Sequence, residues 1–298
     1  MNQITKAINS VACQEDFDLT TSKSKEELAV ALLKEEQTPC SIIHRFGPGI
    51  YIREAIYPPN TLIVGMEHTS EHYNILLKGS IRVINGEGQA AQLNAPFMFV
   101  APPGSKVGYT LTEVVWQNIY ATEERDIEKL EKTLFKAPQS CTDILKQKIL
   151  DAQPLHEEDR KDFLLLCKET GWLEEDIATL SRYREDCIPF PYGNYALISG
   201  NSPIQGKGMF ATASFSIGDT IAPMSITGKR TPAGYLVNHS KTPNCEAVRN
   251  KEGDLFLVAK TRIQGMLGGS NGDELTLDYR QVMKINNLYL KDTLCLPE

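Results

Sequence analysis

The stretch GYLVNHSKTPNC, Gly234 to Cys245, decides how the C-terminal half of this chain folds. An Asn-His-Ser triplet is followed two residues later by Pro-Asn-Cys. Pro and Asn favour turns. A buried Asn-His pair, in contrast, must satisfy several donors and acceptors. Three readings are open: a polar turn, a metal site, or the floor of a pocket. A zinc or disulfide reading needs paired cysteines, and Cys245 has no partner close in sequence.

Two further clusters flank it: Gly206-Lys207-Gly208-Met209-Phe210 before, and Gly272-Asp273-Glu274-Leu275-Thr276-Leu277-Asp278-Tyr279 after. Each alone is weak. Most Gly-x-Gly pairs are turns, and their chemical use is close backbone approach to a ligand, which a Cβ would block. A strand-like ELTLDY is more often packing than chemistry.

In this order and spacing the three resemble the motifs of SET-domain protein lysine methyltransferases. GKGMFA is similar to that family's glycine motif, LVNHSKTPN to its Asn-His-Ser signature, and GDELTLDY to its last motif, with AKTRI (Ala259–Ile263) leading into it. The resemblance spans roughly residues 192–280. It implies an S-adenosyl-L-methionine site contacted by Gly206, Lys207, Gly208, Met209, Asn238 and His239, with Tyr279 in the catalytic position. It also implies a pseudoknot-like crossing that sets the second and third clusters against each other. The partner implied is a protein substrate carrying a lysine.

The chemistry suits these residue types. The attacking lysine must be neutral, although its free pKa is about 10.4. Desolvation in an aromatic channel and repulsion by a sulfonium both lower it. Alignment supplies the rest. A tyrosine with an ordinary pKa near 10 then orients and stabilises rather than acting as a strong base.

The chain departs from the family at Tyr235 and Leu236, where Arg-Phe is frequent. The segment between Gly208 and Asn238 is short, GMLGGSN (Gly265–Asn271) lengthens the loop before the last motif, and the cysteine-rich tail is missing. With that tail gone, Tyr235 and Tyr289 are the candidates to line the substrate channel, although Tyr289 is equally a packing aromatic. These departures keep a second reading open: a non-catalytic structural or interaction protein, viral in type, with a SET-like fold kept for binding.

Residues 41–122 have another texture. GIYIREAIY, NTLIVGM, HYNILLKG, SIRVING, PFMFVAP and VVWQNIYA read as strands separated by Pro-, Asn- and Gly-rich turns. Gly65-Met66-Glu67-His68-Thr69-Ser70-Glu71-His72, with Gly79 and Pro102-Pro103-Gly104 further on, resembles cupin barrels. Met66 and Val107 stand where metal-binding members carry histidine. His68 and His72 remain, with His44 as a third candidate. Two imidazoles make a poor metal site, so the expectation is no metal and a barrel used for binding, recruitment or homo-oligomerisation. A metal-dependent activity is the third hypothesis. His44–Glu54 also resembles short β domains encoded by phages.

The whole is expected to be mainly β with a helical connector: an N-terminal cupin-like barrel plus a C-terminal SET-type β fold. Its parts are residues 1–40 with one helix (Lys25–Glu36, capped by Ser24 and Glu27), the barrel at 41–122, helices at 123–187, the SET-like domain at 188–285 and a tail at 286–298. The helical period appears at 126–136, 142–152, 157–169 and 174–184, with Gly171 as a stop. A net charge of −7 argues against general nucleic-acid or anionic-membrane binding. No apolar run is long enough to span a bilayer, and the N-terminus lacks a signal-peptide core. Seven scattered cysteines fit a reducing, cytoplasmic setting, the host cytoplasm for a viral protein.

Overall fold

A computed structural model describes residues 22–84, 90–136 and 156–287. The expected helix at 142–152, the turn at 85–88 and Tyr289 lie outside them. The chain forms two compact units. The first comprises residues 1–148, 191–197 and 265–271; the second comprises 149–190, 198–264 and 272–298. This differs from the expected division. The helical connector is no separate body, because its first helix belongs to the first unit and the later ones to the second. The extra loop Gly265–Asn271 also belongs to the first unit: the Cys40 and Gly268 amides donate to Met266 O and Thr38 O, at 3.1 and 2.8 Å.

The first unit opens with α1 (Ser22–Leu32). It starts two residues earlier than Ser24, so Ser24 lies inside it and is not its cap. Ten strands follow: β1 (Ser41–Gly47), β2 (Ile50–Tyr57), β3 (Leu62–Val64), β4 (Glu67–His68), β5 (His72–Lys78), β6 (Ser80–Ile84), β7 (Ala90–Asn94), β8 (Phe97–Ala101), β9 (Val107–Thr110) and β10 (Val114–Ala121). Then come α2 (Ile127–Leu134), β11 (Phe135–Lys136) and β12 (Gly193–Tyr195). Eight of the expected helices and strands up to residue 136 match; β1, β7, β9 and the short β4 and β11 were not foreseen.

The strands form two larger antiparallel sheets, ordered β12-β1-β2-β10-β5-β8 and β3-β9-β6-β7, and a two-stranded one, β11-β4. Apart from the β1–β2 and β6–β7 hairpins, the chain passes back and forth between the two larger sheets, a β-rich, cupin-type jelly-roll arrangement. In β1 the buried residues alternate, so Ile42, His44 and Phe46 all face inward. Leu76, Ile81 and Val114 form one inner cluster; Ile84 and Val107 form another, against which Leu28 of α1 packs.

The second unit begins with α3 (His156–Thr170) and α4 (Glu174–Arg182). Gly171, at φ +77°, ends α3 as expected, its amide donating to Cys167 O at 2.9 Å. Strands β13 (Leu197–Asn201), β14 (Lys207–Ala211), β15 (Thr220–Ile226) and β16 (Lys229–Arg230) follow. After them come α5 (Pro232–Leu236), β17 (Asn238–His239), β18 (Cys245–Arg249), β19 (Leu255–Ala259), β20 (Glu274–Leu277) and α6 (Tyr279–Ile285). They make two four-stranded sheets, β13-β14-β20-β17 and β16-β15-β19-β18.

One pairing positions the site. β17 runs parallel to β20, with Asn238 opposite Thr276 and His239 opposite Leu277. The Asn244 side chain pins the same strand from beyond: its Nδ2 donates to Glu274 O at 2.8 Å and its Oδ1 accepts from Thr276 N at 2.9 Å. Two segments more than thirty residues apart in sequence are thereby held side by side. ELTLDY is not all strand. Asp278 caps α6 by accepting from the Arg280 amide, which leaves Tyr279 on the first turn of a helix.

Candidate functional site

A cavity of about 310 Å³ opens in the second unit, at the small end of the range of ligand sites. Gly206, Lys207, Tyr235, Asn238, His239 and Tyr279 all line it. Gly208 and Met209 do not. Gly208 follows Lys207 on the strand and faces the other way, where a Cβ would collide with the Glu274 carboxylate, while Met209 is buried in the core opposite Leu275.

The Asn238 amide ties the glycine turn to this floor. Its Nδ2 lies 3.2 Å from Gln205 O, 3.1 Å from Lys207 O and 2.7 Å from Glu274 Oε1. Gly206 sits at φ +54°, a left-handed conformation that favours glycine; its carbonyl accepts from the Ser202 amide at 2.9 Å, and nothing lies within 4 Å of where a Cβ would stand. Burial pushes the Glu274 carboxyl up despite hydrogen bonds from Asn238 and Ser202, and Asp159 adds to the rise. Ser202 Oγ stands 2.8 and 2.9 Å from its two oxygens.

His239 is clamped through both nitrogens. The Tyr279 amide donates to Nδ1 at 3.2 Å, so Nε2 carries the hydrogen and donates to Asp162 Oδ2 at 3.0 Å. Ser240 Oγ likewise donates to Asp159 Oδ1 at 2.7 Å. The Tyr279 hydroxyl donates to Val237 O at 3.0 Å. Burial, with the Glu274 charge, pushes its pKa well above the usual tyrosine range, so it stays protonated. Its ring packs on His239 and edge-on to Phe163, centroids 5.3 and 6.2 Å away.

One wall was not foreseen from sequence. Arg160, Phe163, Glu174 and Ile177, from α3 and α4, line the cavity; their helical period marks a face and is silent on what that face meets. Arg160 pairs with Glu174 at 2.5 Å and lies over Phe163, while its buried Nη1 has no hydrogen-bond partner. Arg184 stacks on the Tyr235 ring at 4.1 Å.

The residues fit an S-adenosyl-L-methionine molecule in kind: an unsatisfied guanidinium N–H suited to a carboxylate, a glycine turn, and aromatic and aliphatic walls. Gly206, Asn238 and Arg160 would hold it.

Asp162 gives a first prediction. Burial raises its pKa, but hydrogen bonds from Arg280 (2.8 Å) and His239 outweigh this and hold it below the usual carboxylate value. A depressed folded pKa contributes stability above the unfolded value, near 4, and loses it as pH falls through the folded one. Asp162→Asn should therefore cost about 2 kcal/mol in urea unfolding at neutral pH, since Arg280 and His239 lose a half-buried partner. The difference from the parent should shrink below about pH 4. A constant difference across pH would refute this role.

The three imidazoles of the first unit do not converge. His68 and His72 stack face to face, centroids 3.9 Å apart at 6°, while His44 stacks on Tyr51 and reaches that pair only through Tyr51 and Tyr120. Their Nδ1 atoms face Tyr120 OH, Ser70 O and Tyr51 OH, at 2.5, 2.9 and 2.7 Å. Burial, with nearby Arg53, pushes His44 down to about 3. Burial, with His72 and Lys106, pushes His68 down to about 2. Burial also lowers His72. Only the three residues Thr69–Glu71 separate β4 from β5, which keeps His68 and His72 close enough to stack. Among the described residues, no three His, Cys, Asp or Glu side chains come together as a metal site, and no helix is long and apolar enough to cross a membrane.

No family model and no curated protein matches the chain. Among solved structures, it is similar to a cupin superfamily protein from Desulfitobacterium hafniense at 9% identity, covering 32% of this chain and 87% of that one, TM-score 0.25. A cupin domain from Bordetella pertussis is similar at 16% identity, covering 30% and 98%, TM-score 0.25. An HTH_3 family transcriptional regulator from Vibrio cholerae is similar at 20% identity over 32% of this chain, TM-score 0.25, and the chain spans 60% of that protein's length.

Proposed function

We propose that the chain is an S-adenosyl-L-methionine-dependent protein lysine N-methyltransferase whose second unit carries the reaction and whose cupin-type unit recruits substrate or partner. One observation carries this reading: the glycine turn, the Asn238-His239 pair and Tyr279, from three separate sequence clusters, line a single cavity. When bound, the donor supplies an electrophilic methyl group on a sulfonium. Asn238 fixes the turn against which the donor rests, and Arg160 offers a hydrogen bond to its carboxylate. Phe163, Ile177 and Tyr235 line the cavity, and desolvation against them favours the neutral form of an incoming lysine. Tyr279, protonated and tied to Val237 O, orients the reacting groups.

The test is transfer of a labelled methyl group from the donor to proteins of a host lysate, with calorimetry for donor binding. Saturable binding together with labelled lysine supports the reading. Absence of both under all conditions sinks it.

A second reading, a SET-like fold kept for binding, draws support from Tyr235 and Leu236, which line the cavity where the chain leaves the family's motif. It requires that Asn238→Ala, folded but unable to bind donor, keep its biological function.

A further inference from the structure

Inside the first unit a second cavity, about 80 Å³, is lined on its polar side by Asn74, Asn118, His68, Arg53 and Lys106. Asn74 is 1% exposed, and its orientation is fixed: Oδ1 accepts from Trp116 Nε1 at 3.0 Å and from Asn118 Nδ2 at 2.7 Å. Two donors converging on one atom assign it as the oxygen. The Nδ2 group is then a buried donor at the cavity with no hydrogen-bond partner. An orphaned donor of this kind is destabilising unless something accepts from it.

The charges point to what that is. Arg53 is neutralised by Glu131 at 3.0 Å and lies over the Phe135 ring. Among the described residues Lys106 has no such carboxylate: burial and the nearby Lys25 pull its pKa down to about 8. Lys25 itself, 7% exposed, donates to Ser105 O at 3.0 Å. Two lysines therefore crowd one end of the barrel. His68, pushed down to about 2, carries no charge at neutral pH. The remaining wall is apolar: Ile63, Val83, Ile81 and the Trp116 ring. A metal cation is the wrong ligand for such a lining, which offers donors and positive charge where a metal needs lone pairs.

We propose that this cavity binds a small organic carboxylate, its carboxyl group taken by Lys106 and the Asn74 amide and its hydrocarbon end lying against Trp116, Ile63 and Val83. The chemistry requires both halves. The donors select an anion with two acceptor oxygens, and the apolar wall favours a short chain over an inorganic ion. This site is independent of the methyl-transfer reading, since every residue that forms it lies in the first unit.

The test uses the full chain with butyrate as probe and butanol as its uncharged counterpart, read by calorimetry and by melting temperature at about 10 mM ligand. Saturable binding of butyrate with a rise in melting temperature, and none with butanol, is the expected result. Lys106→Gln should weaken butyrate about tenfold or more, the size of a lost charge-assisted contact, with the unliganded melting temperature unchanged. Asn74→Asp, which replaces the donor by a repelling oxygen, should abolish binding; if it fails to fold, Lys106→Gln still decides. The proposal is overturned if butyrate does not saturate, if butanol binds as well, or if Lys106→Gln binds like the parent.

Discussion

In the proposed reaction, Tyr279→Phe is expected to slow transfer about 10²-fold or more while leaving donor affinity within about threefold, the scale of misplacing the reacting groups when one positioning hydroxyl is lost. The ring's contacts with His239 and Phe163 survive the change, because they use only its face and edge. Its amide bond to His239 Nδ1 is main-chain and survives too. What disappears is the hydroxyl that Val237 O accepts from. The loss of one hydrogen bond costs about 1 kcal/mol in stability, too little to unfold the chain. A hydroxyl held this firmly and kept protonated cannot act as a strong base. The rate should accordingly show no rise tracking tyrosine ionisation. Single-turnover transfer with saturating donor separates the two effects. A variant that transfers at the parent rate would remove Tyr279 from the reaction and leave it a packing residue.

The parts of the fold that could be read in sequence were those where one local rule decides. β2, β5 and β10 are long, rich in β-branched and aromatic residues, and bounded by turns, and they stand within a residue or two of where their sequence sets them. β1 was missed because a polar residue, His44, stands at an inward position and an apolar one, Ile43, at an outward position, so the alternation was hidden. The Ser24-x-x-Glu27 pattern misled because the helix had already begun at Ser22. At the candidate site, motif spacing picked out the floor, Asn238, His239 and Tyr279. It had no way to supply the wall from α3. Asp159 and Asp162 lie more than seventy residues from the groups they hold, Ser240 and His239, and nothing in a helical period says which acid will find which partner. Glu274 was in plain view within its motif, but its role appears only with the fold, where the missing side chain of Gly208 makes room for its carboxylate.

Gly234→Ala should cost about 3 kcal/mol of stability, or a fall of roughly 6–12 °C in the melting of the second unit. Gly234 opens the stretch GYLVNHSKTPNC and lies in the middle of α5. A helical position would ordinarily gain from alanine. Here a Cβ would fall on the Met224 carbonyl oxygen, 3.0 Å from that carbonyl's carbon and 3.4 Å from Arg230 Cβ. The carbonyl has no freedom to retreat, because the buried Thr231 amide donates to it at 2.9 Å while the Thr231 hydroxyl holds Pro223 O beside it. Relief must come from moving α5 off β15, and α5 carries Tyr235 and Leu236 to the cavity rim. Donor binding should therefore weaken along with stability. Gly228→Ala is the comparison: its φ of +78° penalises a side chain, yet nothing lies within 4 Å of the added carbon. Backbone strain alone then costs about 1 kcal/mol, with donor binding unchanged. Urea unfolding and donor titration of both variants decide. Equal losses from the two, or a Gly234→Ala protein as stable as the parent, would mean that close packing of α5 on β15 does not set the front edge of this site.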